Sequence, residues 1–458
     1  MIRLRASLFL GCLPFLLTAH ASFAQPAGTQ VAEGQAEDLS VSASLRVRHE
    51  LLDGQPRVGL RARDEQLALR STFGLEYRRN TLLIGAEVYD SRVYLDRPGS
   101  AVTSNEVNTL ELVQAYIGAD LENPLGAGTK ARVQAGRMML NLGSRRLVAA
   151  DDYRNTTSSY TGLRADLELA DKTSATFIYT LPQIRLPEDL PALRDGKVEW
   201  DRESLDLRLW GGLVARPETL AGAMVEIGYF RLHEFDAPAR PTRNRNLHTV
   251  SARLLRDPRS GRWDFEAEGI YQFGGVRTGT TANAPRLPVS AWFLHLDAGY
   301  TLPGKARLRL SIEYDYASGD GTGRAFGRFD TLFGMRRAEL APSGIYNALA
   351  RTNISTPGVR VEMAPTKRLD AFANYRALWL AARTDAFSST GVRDPAGASG
   401  SFAGHQVEGR VRYWLIPSLL RAEVNAVWLA KGRFLRNAPN APATGNTTYL
   451  STALTATL

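Results

Sequence analysis

Arginines recur two residues apart, or side by side, along this chain: Arg46 and Arg48, Arg307 and Arg309, Arg410 and Arg412, and the adjacent Arg145 and Arg146. A guanidinium is a rigid, permanently charged fork of donors that matches a carboxylate at two points. On an extended chain, side chains two positions apart share a face. Such a face raises the local concentration of anions. Arg70, Arg78, Arg360 and Arg376 sit in stretches with the same alternation, as do the acids Glu76, Glu313, Asp315, Glu362 and Glu408. Each arginine therefore has two readings: a contact for an anionic solute, or half of an ion pair that stiffens its surroundings.

Other chemistries lack their signatures. The sequence has no G-x-S-x-G nucleophile elbow, no H-E-x-x-H zinc motif and no phosphate-binding P-loop. The six histidines are scattered, and the nearest two, His233 and His248, stand 15 positions apart, which is not metal-ligand spacing. The one cysteine is Cys12, so thiol chemistry and disulfides are not expected beyond the N-terminal segment. The reading is of a protein that is not an enzyme and needs no cofactor.

Strands must position these arginines. From Arg307 to Gly323 the chain reads RLRLSIEYDYASGDGTG, with Leu308, Leu310, Ile312, Tyr314 and Tyr316 on one face and Arg307, Arg309, Glu313 and Asp315 on the other. Gln66–Arg78, Val407–Trp414 and Leu420–Ala430 alternate in the same way, as do stretches in 82–90, 113–121, 205–210, 263–272, 358–363 and 369–379. Period two over eight or more residues is a strand signature. Turn-rich pieces such as DRPGS, DAPARPTRNRN and STGVRDPAGASGS alternate with tight connections such as YRRNT and ADKTS. Residues 324–357 are less regular and suit a loop that folds inward.

The N-terminus reads MIRLRASLFLGCLPFLLTAHASFAQP. Arg3 and Arg5, an apolar run from Ala6 to Leu17 and the small-x-small site Ser22-Phe23-Ala24 form a secretory signal over 1–24. Residues 25–39 are then a short periplasmic lead-in and 40–458 the folded body. Removing Arg3 and Arg5 lowers the formal net charge from +9 to about +7. Export argues against a nucleic-acid partner for that charge. No later segment reaches the length of a membrane helix, which leaves a barrel open.

A soluble sheet would turn its charges outward; a membrane barrel would turn them inward. Tyr314, Tyr316, Tyr375, Trp379, Tyr413 and Trp428 lie on apolar faces near predicted strand ends, as an interfacial girdle requires. Arginine and acid mix on the opposite faces. The reading is an all-β, antiparallel transmembrane β-barrel in the outer membrane. About 434 residues follow the signal, room for 16 or 18 strands at roughly 24 residues per strand and connection. The last strand, Tyr449–Leu458, would close against a first strand near Val41–His49.

Two stretches resemble the alginate-export type of outer-membrane barrel: GRMMLNLGSRRLVAADDYRNT, Gly136 to Thr156, and YDYASGDG, Tyr314 to Gly321, followed by FDTLFG, Phe329 to Gly334. FANYRALWLAARTDAF, Phe372 to Phe387, extends the likeness, which covers about 40–458. The resemblance implies a monomeric barrel of 18 strands in a Gram-negative outer membrane, with an arginine-lined constriction that passes a polyuronate. It carries over Arg137, Arg145, Arg146, Arg154, Asp315, Asp320 and Asp330. The chain departs from the common pattern in ending on Leu458 where many outer-membrane proteins have Phe.

Three functions follow as expectations. The first is passive, charge-selective passage of an anionic polysaccharide such as alginate, with periplasmic secretion proteins as partners. The second is an uptake porin for small anionic or aromatic organic acids. The third is a structural or adhesive barrel.

Overall fold

The computed structural model describes residues 38–237, 240–335 and 339–458. The expected signal and nearly all of the lead-in lie outside the described residues. The body is a closed antiparallel sheet of 18 strands. In chain order they are β1 Asp38–Asp53, β2 Arg63–Arg79, β3 Leu82–Tyr94, β4 Asn108–Glu122, β5 Lys130–Met139, β6 Ser159–Glu168, β7 Ser174–Pro182, β8 Leu207–Leu220 and β9 Ala223–Glu234. They continue with β10 Asn246–Arg256, β11 Trp263–Arg277, β12 Arg286–Thr301, β13 Arg309–Ala317, β14 Ile354–Thr366, β15 Leu369–Trp379, β16 Phe402–Ile416, β17 Leu420–Lys431 and β18 Thr447–Thr457. Two one-turn helices, α1 Leu190–Arg194 and α2 Arg433–Asn437, lie in connections. The first strand starts at Asp38, inside the stretch read as a lead-in.

Every strand pairs with its sequence neighbours, and β1 also pairs with β18, from Ser44 opposite Thr457 to Asp53 opposite Thr448. Closure leaves no unpaired edge, which a bilayer demands of a sheet. The alternation is realised as read. Val407, Val411, Tyr413, Val424, Trp428, Leu450 and Leu454 are exposed on the outer wall, while Glu408, Arg410, Asn425 and Ser451 are buried inside.

Connections at one rim are short: 80–81, 123–129, 169–173, 221–222, 257–262, 302–308, 367–368 and 417–419. Those at the other are longer, reaching 140–158, 183–206, 318–353 and 380–401. Short turns and the chain ends mark the periplasmic side, long loops the outside.

The interior has two layers. Toward the long-loop rim it is apolar: Leu209, Leu232, Leu247, Phe293, Leu378, Leu429 and Tyr449 point inward from strand ends and pack on Leu140, Val148, Leu340, Ile345, Leu349 and Phe387 of loops folded into the barrel. The charges occupy the layer beneath. The sequence reading gave the whole inner face to charge; near the outer rim the strands instead meet apolar loop residues, so the inner face there is apolar.

Loop 318–353 does fold inward, as its irregularity suggested, and loop 140–158 joins it. The two run side by side through a parallel bridge between Val148 and Phe333. Backbone N–H groups of Ala149, Phe333 and Met335 donate to the carbonyls of Phe333, Leu147 and Arg145 at 3.1, 3.0 and 2.9 Å. A Cβ on Gly334 would stand 1.8 Å from the Arg146 carbonyl oxygen, so only glycine permits this approach.

Candidate functional site

The charged layer is not uniform. On the wall formed by β16, β17, β18, β1 and β2, strand register sets arginines in rows. Arg70 stands opposite Arg46, Arg46 opposite Thr455, and Thr455 opposite Arg421. One row up, Arg48 stands opposite Ala453, Ala453 opposite Glu423, and Glu423 opposite Arg412. Like charges directly opposite on a sheet repel, so the Arg46–Arg70 pair needs an external source of negative potential.

Loop 140–158 supplies it through its backbone. Arg46 donates from Nη1 to the carbonyl of Asp152 at 2.9 Å and from Nη2 to that of Arg154 at 2.7 Å. Arg70 Nη1 reaches the same two carbonyls at 3.3 Å each. Arg48 donates to the carbonyl of Tyr153, its guanidinium lies 4.5 Å from the Tyr153 ring centre, and its Nε is 3.2 Å from Glu50. The Tyr153 hydroxyl meets that of Tyr449 at 2.8 Å, and Tyr449 donates to Glu50 at 2.6 Å. Among the described residues neither Arg46 nor Arg70 forms an ion pair. Arg421 stacks over Trp414 at 5.5 Å, while Arg410 and Arg412 reach Asp370 at 3.3 and 2.9 Å.

Beneath the loop tip lies a cavity of about 170 Å³ lined by Arg46, Arg48, Asp152, Tyr153, Arg410, Arg412, Arg421, Glu423, Ala453 and Thr455. An anion entering it meets several guanidinia, among them Arg46, which is held by neutral oxygens. A carboxylate would add an attraction between opposite charges that those carbonyls do not offer.

The opposite wall, β10 to β15, carries arginines of another kind. Arg309 is fully buried and bonded to Asp264, Asp297 and Glu362. Arg376 pairs with Asp315 at 2.7 Å and with Glu313, and Asp315 also meets His295 Nδ1 at 2.7 Å. Arg253 donates to Glu266 at 2.8 Å, and Arg360 pairs with Glu362 at 2.8 Å. Arg146, from loop 140–158, reaches into this wall and bonds Glu266 at 2.6 Å, Glu268, and Glu339 of loop 318–353 at 2.5 Å. Arg351 bonds Glu339 at 2.7 Å. Burial raises the Glu339 carboxyl, but Arg146 and Arg351 outweigh it and hold the group below the usual carboxylate range.

The other sequence candidates fall in separate places. Arg78 pairs with Glu76 at 2.9 Å and Asp120 at 3.4 Å near the periplasmic end. Arg137, at the outer end of β5, bonds Glu111 at 2.5 Å and Glu203 at 3.0 Å and ties the strands to loop 183–206. Arg145 meets Asp152 at 2.8 Å, and Arg154 meets Asp151 at 3.0 Å and Asn105 at 2.7 Å, so both brace loop 140–158. Asp330 bonds Arg245 at 2.8 Å, and Asp320 accepts from the Gly327 amide at 3.1 Å within its own loop. Glu408 is buried on β16.

Arg307 is a correction. It does not share the polar face of Arg309 and Asp315; it lies in the 302–308 turn with φ +48° and is exposed at the periplasmic rim. The turn twists the chain before β13 begins at Arg309, so the alternation does not extend back to it. Residues not singled out include Arg421, Arg253, Glu266, Glu268, Asp264, Asp297 and His295. All alternate within strands, so period two was their available signal. The carbonyls of Asp152, Tyr153 and Arg154 had none.

A sequence model of a family described as alginate export matches residues 37–448. No curated protein matches this chain in sequence. Several solved structures share its fold. OccK9 (OpdG) of Pseudomonas aeruginosa is 13% identical with a TM-score of 0.60, over 92% of this chain and 98% of that one. OccK2 (OpdF) of the same organism, solved in complex with glucuronate, is 12% identical with a TM-score of 0.57, over 93% and 99%. OpdK of the same organism, an outer membrane protein solved with vanillate, is 11% identical with a TM-score of 0.56, over 92% and 98%.

Proposed function

This chain belongs to the alginate export family, and from that premise we propose that it is a passive, anion-selective outer-membrane channel for small carboxylic acids, uronic and aromatic acids among them. The observation that carries the reading is the row of guanidinia at Arg46, Arg70 and Arg421, held by carbonyls and a ring rather than by carboxylates. An arriving carboxylate finds guanidinia there that, among the described residues, bond no carboxylate of the protein. The cavity of about 170 Å³ is smaller than the roughly 300 Å³ at which drug-sized pockets begin, which suits one small acid better than a folded length of polymer. The complexes of OccK2 with glucuronate and of OpdK with vanillate support the same class.

The driving force is the solute gradient. Apolar side chains pack under the outer loops in the upper layer, and the basic wall below draws the acid onward. The second reading, passage of a polyuronate, is favoured by the family match itself; a uronic acid is the repeating unit of such a polymer, so one wall serves either cargo.

Single-channel recording in planar bilayers separates them. Glucuronate and vanillate at millimolar concentration should interrupt the chloride current from either side, whereas uronate oligomers should interrupt it weakly. Strong block by oligomers alone favours the polymer, and equal cation and anion permeability sinks both.

A further inference from the structure

The lipid-facing surface carries a feature that the channel does not use. On β8, β9 and β10 the residues that alternate with buried Leu209, Leu232 and Leu247 point to the membrane, in step with exposed Val214 and Ile227. At the outer-leaflet end these outward positions are Arg208, Arg231, His233 and His248, and Arg286 follows at the start of β12. Register sets them side by side: Arg208 opposite His233, Arg231 opposite His248.

None of the arginines forms an ion pair among the described residues. Arg231 donates to Asn246 Oδ1 at 3.2 Å and lies 6.0 Å from the Trp210 ring centre. Arg286 donates to Asn244 Oδ1 and to the carbonyls of Asn244 and Gly275 at 3.0, 3.2 and 3.2 Å. Arg208 donates to the Leu205 carbonyl at 2.6 Å. The carboxylate nearest in sequence, Asp206, meets Ser204 Oγ at 3.2 Å.

Below the cations the surface changes by layers. His248 stacks on Phe273 at 4.9 Å and accepts or donates at 2.8 Å with the Tyr229 hydroxyl. Tyr271 and Trp292 pair in the next row, and Ile227 and Val214 lie beneath. Cations over aromatics over aliphatics, on a wall that faces lipid, matches an amphiphile with an anionic head and several acyl chains.

We propose that this patch is a binding site for a phosphorylated glycolipid of the outer leaflet, with the phosphates on Arg231, Arg286 and Arg208 and the acyl chains along the rows below. A second copy of the chain is a poorer occupant, because a twofold contact would set the same cations face to face. The other side of the rim makes a contrast: there Arg63 pairs with Asp53 at 3.0 Å and His49 with Glu65 at 2.9 Å.

The test is native mass spectrometry of the full chain in detergent, titrated with purified lipid A and with enzymatically dephosphorylated lipid A. Lipid A should bind and survive collisional activation, and the dephosphorylated form should bind at least about tenfold more weakly. Arg231→Ala with Arg286→Ala should bring lipid A down to that level. Arg231→Lys with Arg286→Lys should restore most of the binding, and Arg63→Ala should change nothing. Heat-modifiable gel mobility confirms that each variant is folded. Equal binding of both lipids, full binding by the double alanine variant, or dimers in place of lipid adducts would overturn the proposal.

Discussion

The two walls of the lumen use one residue type to opposite ends. Arg309 and Arg376 on the β11–β15 side are buried with two or more carboxylates each. Arg46 and Arg70 on the β1–β2 side hold the carbonyls of Asp152 and Arg154. The first arrangement consumes its charge in cross-links between strands. The second leaves its guanidinia, among the described residues, without a bonded carboxylate, which is the feature the proposed anion passage would use. An arginine count therefore says little by itself; what each guanidinium touches separates the two walls.

The largest effect should come from the cross-linked wall. Arg376→Ala removes the guanidinium that Glu313 and Asp315 share in a buried setting and should cost about 3–5 kcal/mol, read as the urea midpoint of protein refolded into liposomes. A loss no larger than that of an exposed substitution would erase the distinction between the walls. Next comes Arg46→Gln with Arg70→Gln, which keeps donors for the loop carbonyls and removes the charge. Reversal potential in a salt gradient should shift severalfold toward cations, while stability changes by about 1 kcal/mol or less. The same pair of substitutions with unchanged selectivity would show that the open arginines are structural as well.

The smallest effect concerns loop 183–206. Burial pushes the Asp201 carboxyl up to about 6, so its protonated form is favoured by the folded loop. Its contribution is present at pH 4 and is lost as pH rises through 6. Burial also opposes ionisation of Glu203, but bonds from Thr161, Gln183 and Arg137 hold it at about 2, so it stays charged across that window. Amide exchange in 183–206, corrected for intrinsic rate, should be faster at pH 7.5 than at pH 5; the reverse would contradict the assigned burial.

Much of the barrel was legible in period two, because lipid outside and water inside impose opposite demands on successive residues. Arg410 and Arg412, Val407 and Val411, and the closure of Tyr449–Leu458 on the first strand could all be read that way. Arg307 shows the limit: a strand pattern does not announce where its turn begins. The walls' different roles were hidden for a deeper reason. Whether Arg46 meets Asp152's carbonyl or a carboxylate depends on a loop more than a hundred positions away, and backbone oxygens leave no trace in residue type. The dry upper layer was hidden likewise, since Leu340 and Ile345 carry no sign that a barrel will surround them.

The bridge between Val148 and Phe333 ties the two inward loops into one body. Arg146 and Glu339 add a second tie between the loops, and Arg146 pins that body to one wall through Glu266 and Glu268 while Arg46 and Arg48 hold it to the other. Neither loop can swing aside without dragging its neighbour. Current through a single molecule should accordingly jump between two plateaus, like a latch thrown or released, rather than drift through a series of partial steps.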